Sequence, residues 1–196
     1  FTGVSEGVIS HDRIIKMLEV CDDELAIEEK GIYSIEKFIV SRRLMYWQVY
    51  LHKTVVCAEQ LLINILRRAK EIRKKGVGLF ATPALAVFLE RVYTKDDFNK
   101  DSSLLFTFAE LDDSDITTAV KQWSKHKDTV LSELCVRMMN RQLFKIILQR
   151  EKFSDELIEE KRNLVSGQFG LKADEIDYFV VRGTLVNNAY DTRSDR

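Results

Sequence analysis

The chain has 196 residues, of which 45% are hydrophobic and 31% charged, with a formal net charge of -1. That length suits one large domain or two small ones, and the near-neutral balance gives no global attraction to nucleic acid or to an anionic membrane. Three widely spaced cysteines, Cys21, Cys57 and Cys135, make neither a disulfide framework nor a metal-ligand spacing. They favour a reducing compartment, and with no membrane-length apolar run and no signal peptide the expected location is cytoplasmic.

In chain order, residues 1–7 read as a loop. Ser10 then predicts a capped helix from about His11 to Val20, with Ile14, Ile15 and Leu18 on one face. His11-Asp12 resembles a metal dipeptide, but a first helical turn favours Asp for its charge, and the capping turn is the better reading. Asp22-Asp23 breaks the helix, and Glu24 to Glu29 alternates as a short strand or an extended link.

The organising stretch follows, from Ser34 to Lys75, free of Gly and Pro and apolar at helical spacing. Ser34 is the expected cap; Lys74, Lys75 and Gly76 mark the stop. A straight helix of that length would run about 63 Å. A compact domain of this size has a radius of gyration of about 16 Å, so a kink is expected between Arg42 and Val55.

Beyond Gly76, Thr82-Pro83 opens a helix to about Tyr93, and residues 95–103 read as polar loop. Asp112 to Asp115 caps a helix through Trp123 and is not a calcium loop, which needs a Gly and a terminal Glu at fixed spacing. Thr129 to Asn140 is helical, with Val130, Leu131, Leu134 and Met138 inward. Leu143 to Leu148 reads as a strand, Ser154 to about Gln168 as a helix stopped by Gly170, and Tyr178 to Val186 as a strand. The tail after Asn187 is polar, and a frayed end is expected. The fold class is α+β, mostly α-helical, with a helical part over 1–76 and a helical and mixed α+β C-terminal region over 77–196.

Chemistry concentrates in Arg42-Arg43 through Tyr50-Leu51-His52-Lys53, where cations and aromatics invade an apolar helix. Arg42, Tyr46 and Tyr50 fall on one side, and Arg42 and Tyr50 stand roughly 12 Å apart along the axis. That is about the length of a nucleotide with its phosphates. A guanidinium can fork onto phosphate, and a phenol can stack on or bond a sugar. Packing or snorkelling of the same residues is the competing reading.

This segment, with Lys30 to Phe38 before it and Arg141-Gln-Leu-Phe144-Lys145 after it, resembles the HD-domain phosphohydrolases. The closest branch is the deoxynucleoside triphosphate triphosphohydrolases, including the SAM- and HD-domain enzymes. The resemblance implies that Arg42 touches substrate phosphate and Tyr50 the sugar, with Tyr46 beside them. It implies a metal-dependent enzyme in the full-length protein whose His, His-Asp and Asp ligands precede Phe1. The chain is then expected to be a fragment, with no catalytic residue and no metal of its own.

The resemblance also implies a regulatory nucleotide site at a subunit contact, with Arg13, Lys30, His52, Lys53, Arg141 and Lys145 as the matching cations, hence nucleotides and a homo-oligomer as partners. No membrane partner is expected, and the basic run from Arg67 to Lys75 reads as a solvated helix end rather than a nucleic-acid patch. Two positions depart from the family pattern. Leu51 stands where a Gln is common, which weakens sugar discrimination, and Glu28 stands where an Arg is expected, which opposes phosphate. The alternative reading is a non-catalytic nucleotide-binding module or a helical protein-interaction module.

Overall fold

The computed structural model describes residue 5 and residues 8–186. The loop expected at the start, apart from residues 5, and the tail expected after Asn187 lie outside the described residues. Among those described, the chain is mostly α-helical, with one antiparallel sheet of two strands, as the α+β reading predicts. It divides into two compact units, Phe1–Val56 with Gly183–Arg196, and Cys57–Arg182.

The first unit opens with α1 (His11–Lys16), β1 (Leu18–Cys21) and β2 (Glu24–Ile27). The helix expected to reach Val20 stops four residues short, because Leu18–Cys21 pairs across a tight turn with Glu24–Ile27. Asp22 and Asp23 both take positive φ, 53° and 61°. Two such residues make the primed turn whose twist matches a hairpin, and Asp tolerates it better than most side chains. The expected face of Ile14, Ile15 and Leu18 is not formed, and Ile15 is 63% exposed. A 3-10 turn, Glu29–Gly31, then leads into α2 (Ile32–Met45). That helix starts before Ser34, so Ser34 is not its cap. Gly31 and Ser41 are the buried residues of this unit among those described. Gly31 is needed for close approach, since a Cβ there would lie 2.9 Å from Ile27 Cγ2 and 3.1 Å from Met17 Sδ.

The predicted break is present. A single π turn, Tyr46–Tyr50, follows α2, and α3 (Lys53–Lys74) restarts after Leu51-His52. Gly76, at φ 77°, closes α3. Its N–H donates to Arg73 O at 2.9 Å, and the Val77 N–H donates to Ile72 O at 3.3 Å. This is the double bond pattern of a glycine C-terminal stop.

The core belongs to the second unit. Leu61, Ile65, Ala69 and Ile72 line one face of α3 and are buried. They pack with α4 (Pro83–Glu90), α7 (Asp113–Trp123) and α8 (Thr129–Met139) around Trp123, Leu131 and Leu134. Trp123 Nε1 donates to Phe80 O at 2.8 Å, so its one polar atom is satisfied inside. Asp112 caps α7 with a reciprocal bond to Asp115, as the sequence predicts. Ser154 caps α9 (Asp155–Phe169), and Gly170 ends it at φ 62°.

Three expectations fail here. The polar stretch after Thr94 is helical, α5 (Lys95–Lys100), started by a Thr94/Asp97 capping box, and α6 (Ser103–Ala109) follows. Leu143 to Leu148 forms no strand. Tyr178 to Val186 forms none either and follows a short helix, α10 (Ala173–Ile176). A strand exists only by pairing, and among the described residues neither segment has a backbone partner in a ladder.

One polar knot ties the second unit together. Arg68, on the buried face of α3, donates to both carboxylate oxygens of Asp128, at 3.0 and 2.6 Å, and to Glu175 Oε1 at 3.0 Å. Tyr178 lies under Arg67 and Arg68, with the guanidinium carbons 4.4 and 5.5 Å from its ring centre. Buried Asn64 donates to Tyr178 O at 2.8 Å. These contacts fasten the segment after α10 onto α3.

Candidate functional site

The spacing that makes the face is Phe38, Ser41, Arg42, Met45 and Tyr46, at helical offsets of three and four. With Ile9 and Tyr50 these residues line an open cleft of about 490 Å³, within the size range of ligand sites. The sequence reading named Arg42, Tyr46 and Tyr50, and the structure brings all three to this cleft. It missed Ile9, Phe38, Ser41 and Met45. The last three were legible as the remainder of the same helical stripe.

The π turn shapes the cleft. The Leu51 N–H donates to Tyr46 O at 2.8 Å, an i to i+5 bond that winds an extra residue into the turn. At about 100° per residue a regular helix would carry Tyr50 about 80° round from Arg42. The wider turn winds roughly 80° per residue and swings Tyr50 back. The Tyr46 and Tyr50 rings meet at 5.1 Å between centres, tilted by 59°. The Arg42 guanidinium carbon lies 5.8 Å from the Tyr46 ring centre, within cation–π range. The result is a cation at one end and two touching phenol rings at the other. Arg43 does not line the cleft.

Of the cations expected at a regulatory site, Arg13 and Lys30 share a second cleft of about 470 Å³ with Asp12, Lys16, Met17 and Glu28. Lys30 Nζ sits 2.5 Å from Glu28 Oε2. The departure noted in sequence is therefore a neutralised lysine. His52 Nδ1 accepts the Thr54 N–H at 3.3 Å and so helps begin α3, whose first residue is Lys53.

Arg141 and Lys145 lie in the other unit. Arg141 holds the left-handed conformation, φ 56°, just after α8. Of the acids nearby in sequence, Glu133 pairs with Arg137 at 2.8 Å, and Asp155 stands 3.5 Å from Arg182. His11 and Asp12 approach at 3.4 Å and are largely exposed, and Ser10 makes no side-chain capping bond. Among the described residues no three His, Cys, Asp or Glu side chains converge where they could hold a metal ion. No described helix is long and apolar enough to cross a membrane.

Residues 9–79, which contain both clefts, match the family model described as HD associated region. Over those residues the chain is similar to the HD-associated region, and through it and a structural match it is related to the HD phosphohydrolases. A solved phosphohydrolase from Bacteroides thetaiotaomicron superposes with a TM-score of 0.85 at 50% identity, over 90% of this chain and 44% of that one. YwfO of Bacillus subtilis is 36% identical over 75% of this chain and 32% of its own length. MG461 of Mycoplasma genitalium is 27% identical over 97% of this chain and 43% of its own. The chain thus spans less than half the length of these curated relatives.

Proposed function

We propose that this chain is part of a metal-dependent HD-family phosphohydrolase acting on (deoxy)nucleoside triphosphates, to which it contributes phosphate and sugar contacts. The observation that carries the reading is the cleft of Arg42, Tyr46 and Tyr50 inside the HD-associated region. The Arg42 guanidinium would take phosphate oxygens in charge-assisted bonds. The paired Tyr46 and Tyr50 rings would lie along the sugar. Ser41, buried beside Arg42, the half-buried Met45 and the more exposed Phe38 line the rest of the cleft.

Among the described residues no group of side chains fits a metal ion. In the longer polypeptide a divalent metal would supply an activated water and charge for the phosphoryl oxygens. The test is substitution in the full-length protein. Arg42→Ala removes a charged hydrogen bond, worth about 1.5–3 kcal/mol, or roughly a 10- to 150-fold loss of kcat/KM. Arg43→Ala should cost far less. Equal and small losses for the two would end the clamp role.

The second reading is a regulatory nucleotide site that drives oligomer assembly. The cation-bearing cleft of Arg13, Lys16 and Lys30 favours it, and the Glu28–Lys30 pair counts against it. Sedimentation of the full-length protein with and without deoxynucleoside triphosphates tests it. Coincident profiles would remove it.

A further inference from the structure

Ser41, Asn64 and Arg68 are the buried polar side chains among the described residues. Asn64 and Arg68 are held by hydrogen bonds to Tyr178, Asp128 and Glu175. Ser41 is 6% exposed, and its hydroxyl makes no hydrogen bond among the described residues. A serine inside a helix can donate to the carbonyl four residues back. Thr107 does the same here, to Ser103 O at 3.0 Å, and Ser41 does not. Nor is its oxygen sealed: among the described residues the sealed polar atoms with no hydrogen bond belong to Thr82, Arg137 and Tyr178. Ser41 lines the Arg42 cleft, so the small part of it left open is where the hydroxyl meets that cleft.

A buried hydroxyl left unbonded costs free energy, and a native chain tolerates one chiefly where a bound molecule completes it. The neighbours say which molecule. Ser41 directly precedes Arg42 on α2, with Cα atoms about 3.8 Å apart, whereas Tyr50 lies about two turns further along. The hydroxyl therefore serves the cation's end of the cleft and not the phenol end. A phosphate gripped by a guanidinium keeps oxygens to spare, and a hydroxyl can donate to one of them. Being neutral, it does so without setting a second charge against the apolar Ile9, Phe38 and Met45 of the same cleft. We propose that the Ser41 hydroxyl donates a hydrogen bond to the phosphate group that Arg42 holds, and so fixes how a triphosphate seats in the cleft. The inference rests on the reading of Arg42 as a phosphate contact.

The experiment is isothermal titration calorimetry of the full-length protein and its Ser41→Ala variant with inorganic triphosphate, and with deoxyadenosine as the phosphate-free probe. Arg42→Ala is the control for the reading underneath. The expected result is a Kd for inorganic triphosphate raised about tenfold by Ser41→Ala, the loss of one charge-assisted hydrogen bond, with deoxyadenosine unchanged. Ala has the higher helix propensity and leaves no unbonded hydroxyl, so the variant should melt at or above the wild-type temperature. Weaker binding without lost stability is a result that a purely structural serine does not give. Weakening by Arg42→Ala and none by Ser41→Ala overturns this inference and leaves the Arg42 reading standing. No effect of either variant, or no binding by wild type, overturns both. A loss for deoxyadenosine instead of triphosphate gives the hydroxyl to the nucleoside and overturns the proposal. A lowered melting temperature with unchanged binding gives it to a protein partner in the longer polypeptide and overturns it too.

Discussion

Arg68→Met is the sharpest test of how the second unit holds together. The guanidinium is almost wholly buried, with three carboxylates around it: Asp128, Glu175, and Glu71 at 3.6 Å. Removing one partner of a buried pair costs about 3–5 kcal/mol, because the other charge is stranded. Asp128 and Glu175 each retain about a fifth of their side-chain exposure, so water relieves part of that cost. The expected loss is about 2–4 kcal/mol, and at a urea slope of about 2 kcal/mol per M the midpoint falls by about 1–2 M. Trp123, buried in the same core, reports the transition by its fluorescence.

Asp128→Asn provides the second leg of a cycle. Asp128 also caps α8 by accepting the Leu131 N–H at 2.8 Å, and Asn can keep that bond while losing the charge. The double variant should lose less than the sum of the singles by about 1–3 kcal/mol. Additivity within about 0.5 kcal/mol would refute the coupling.

The same pair sets a pH dependence. Burial raises the Asp128 carboxyl, but the hydrogen bonds from Arg68 and from the Leu131 N–H outweigh it and hold the group below the ordinary carboxylate range. A depressed carboxylate contributes stability in full above its unfolded value, about 3.9. That stability is lost as pH falls from there through the lower folded value. Wild type should therefore lose its advantage over Asp128→Asn below about pH 4 and keep it at neutrality.

Three further outcomes are expected. Arg141→Gly should stabilise the chain by about 0.5–1 kcal/mol in urea melts, since Gly bears the left-handed conformation without strain. A loss would mean that the cation's attraction to the end of α8 dominates. Gly31→Ala should cost about 1–3 kcal/mol by forcing a methyl against Met17 and Ile27, seen as faster amide exchange across β1 and β2. Native chain should titrate one thiol, the exposed Cys21, and urea-unfolded chain all three. Burial pushes Cys135 up to about 12 and also raises Cys57, so neither reacts while folded.

The sequence by itself determined what depends on near neighbours along the chain. The break between Arg42 and Val55, the Gly76 and Gly170 stops, and the Asp112 and Ser154 caps are local hydrogen-bond and dihedral choices. So is the shared side of Arg42 and Tyr46, which helical spacing brings together, with Tyr50 swung round to them by the π turn. The Thr94/Asp97 box was equally local and was passed over because its segment is polar. Only the tertiary structure decided the strands. Leu18–Cys21 left a helical pattern because Glu24–Ile27 was there to pair with it. Leu143 to Leu148 and Tyr178 to Val186 have strand sequences and no ladder. Burial was decided in the same way. Ile32 and Ile39 stand seven residues apart just as Ile65 and Ile72 do, yet the first pair is more than a third exposed and the second is core. Periodicity states that a helix has an apolar face; whether that face is buried depends on which distant elements pack against it.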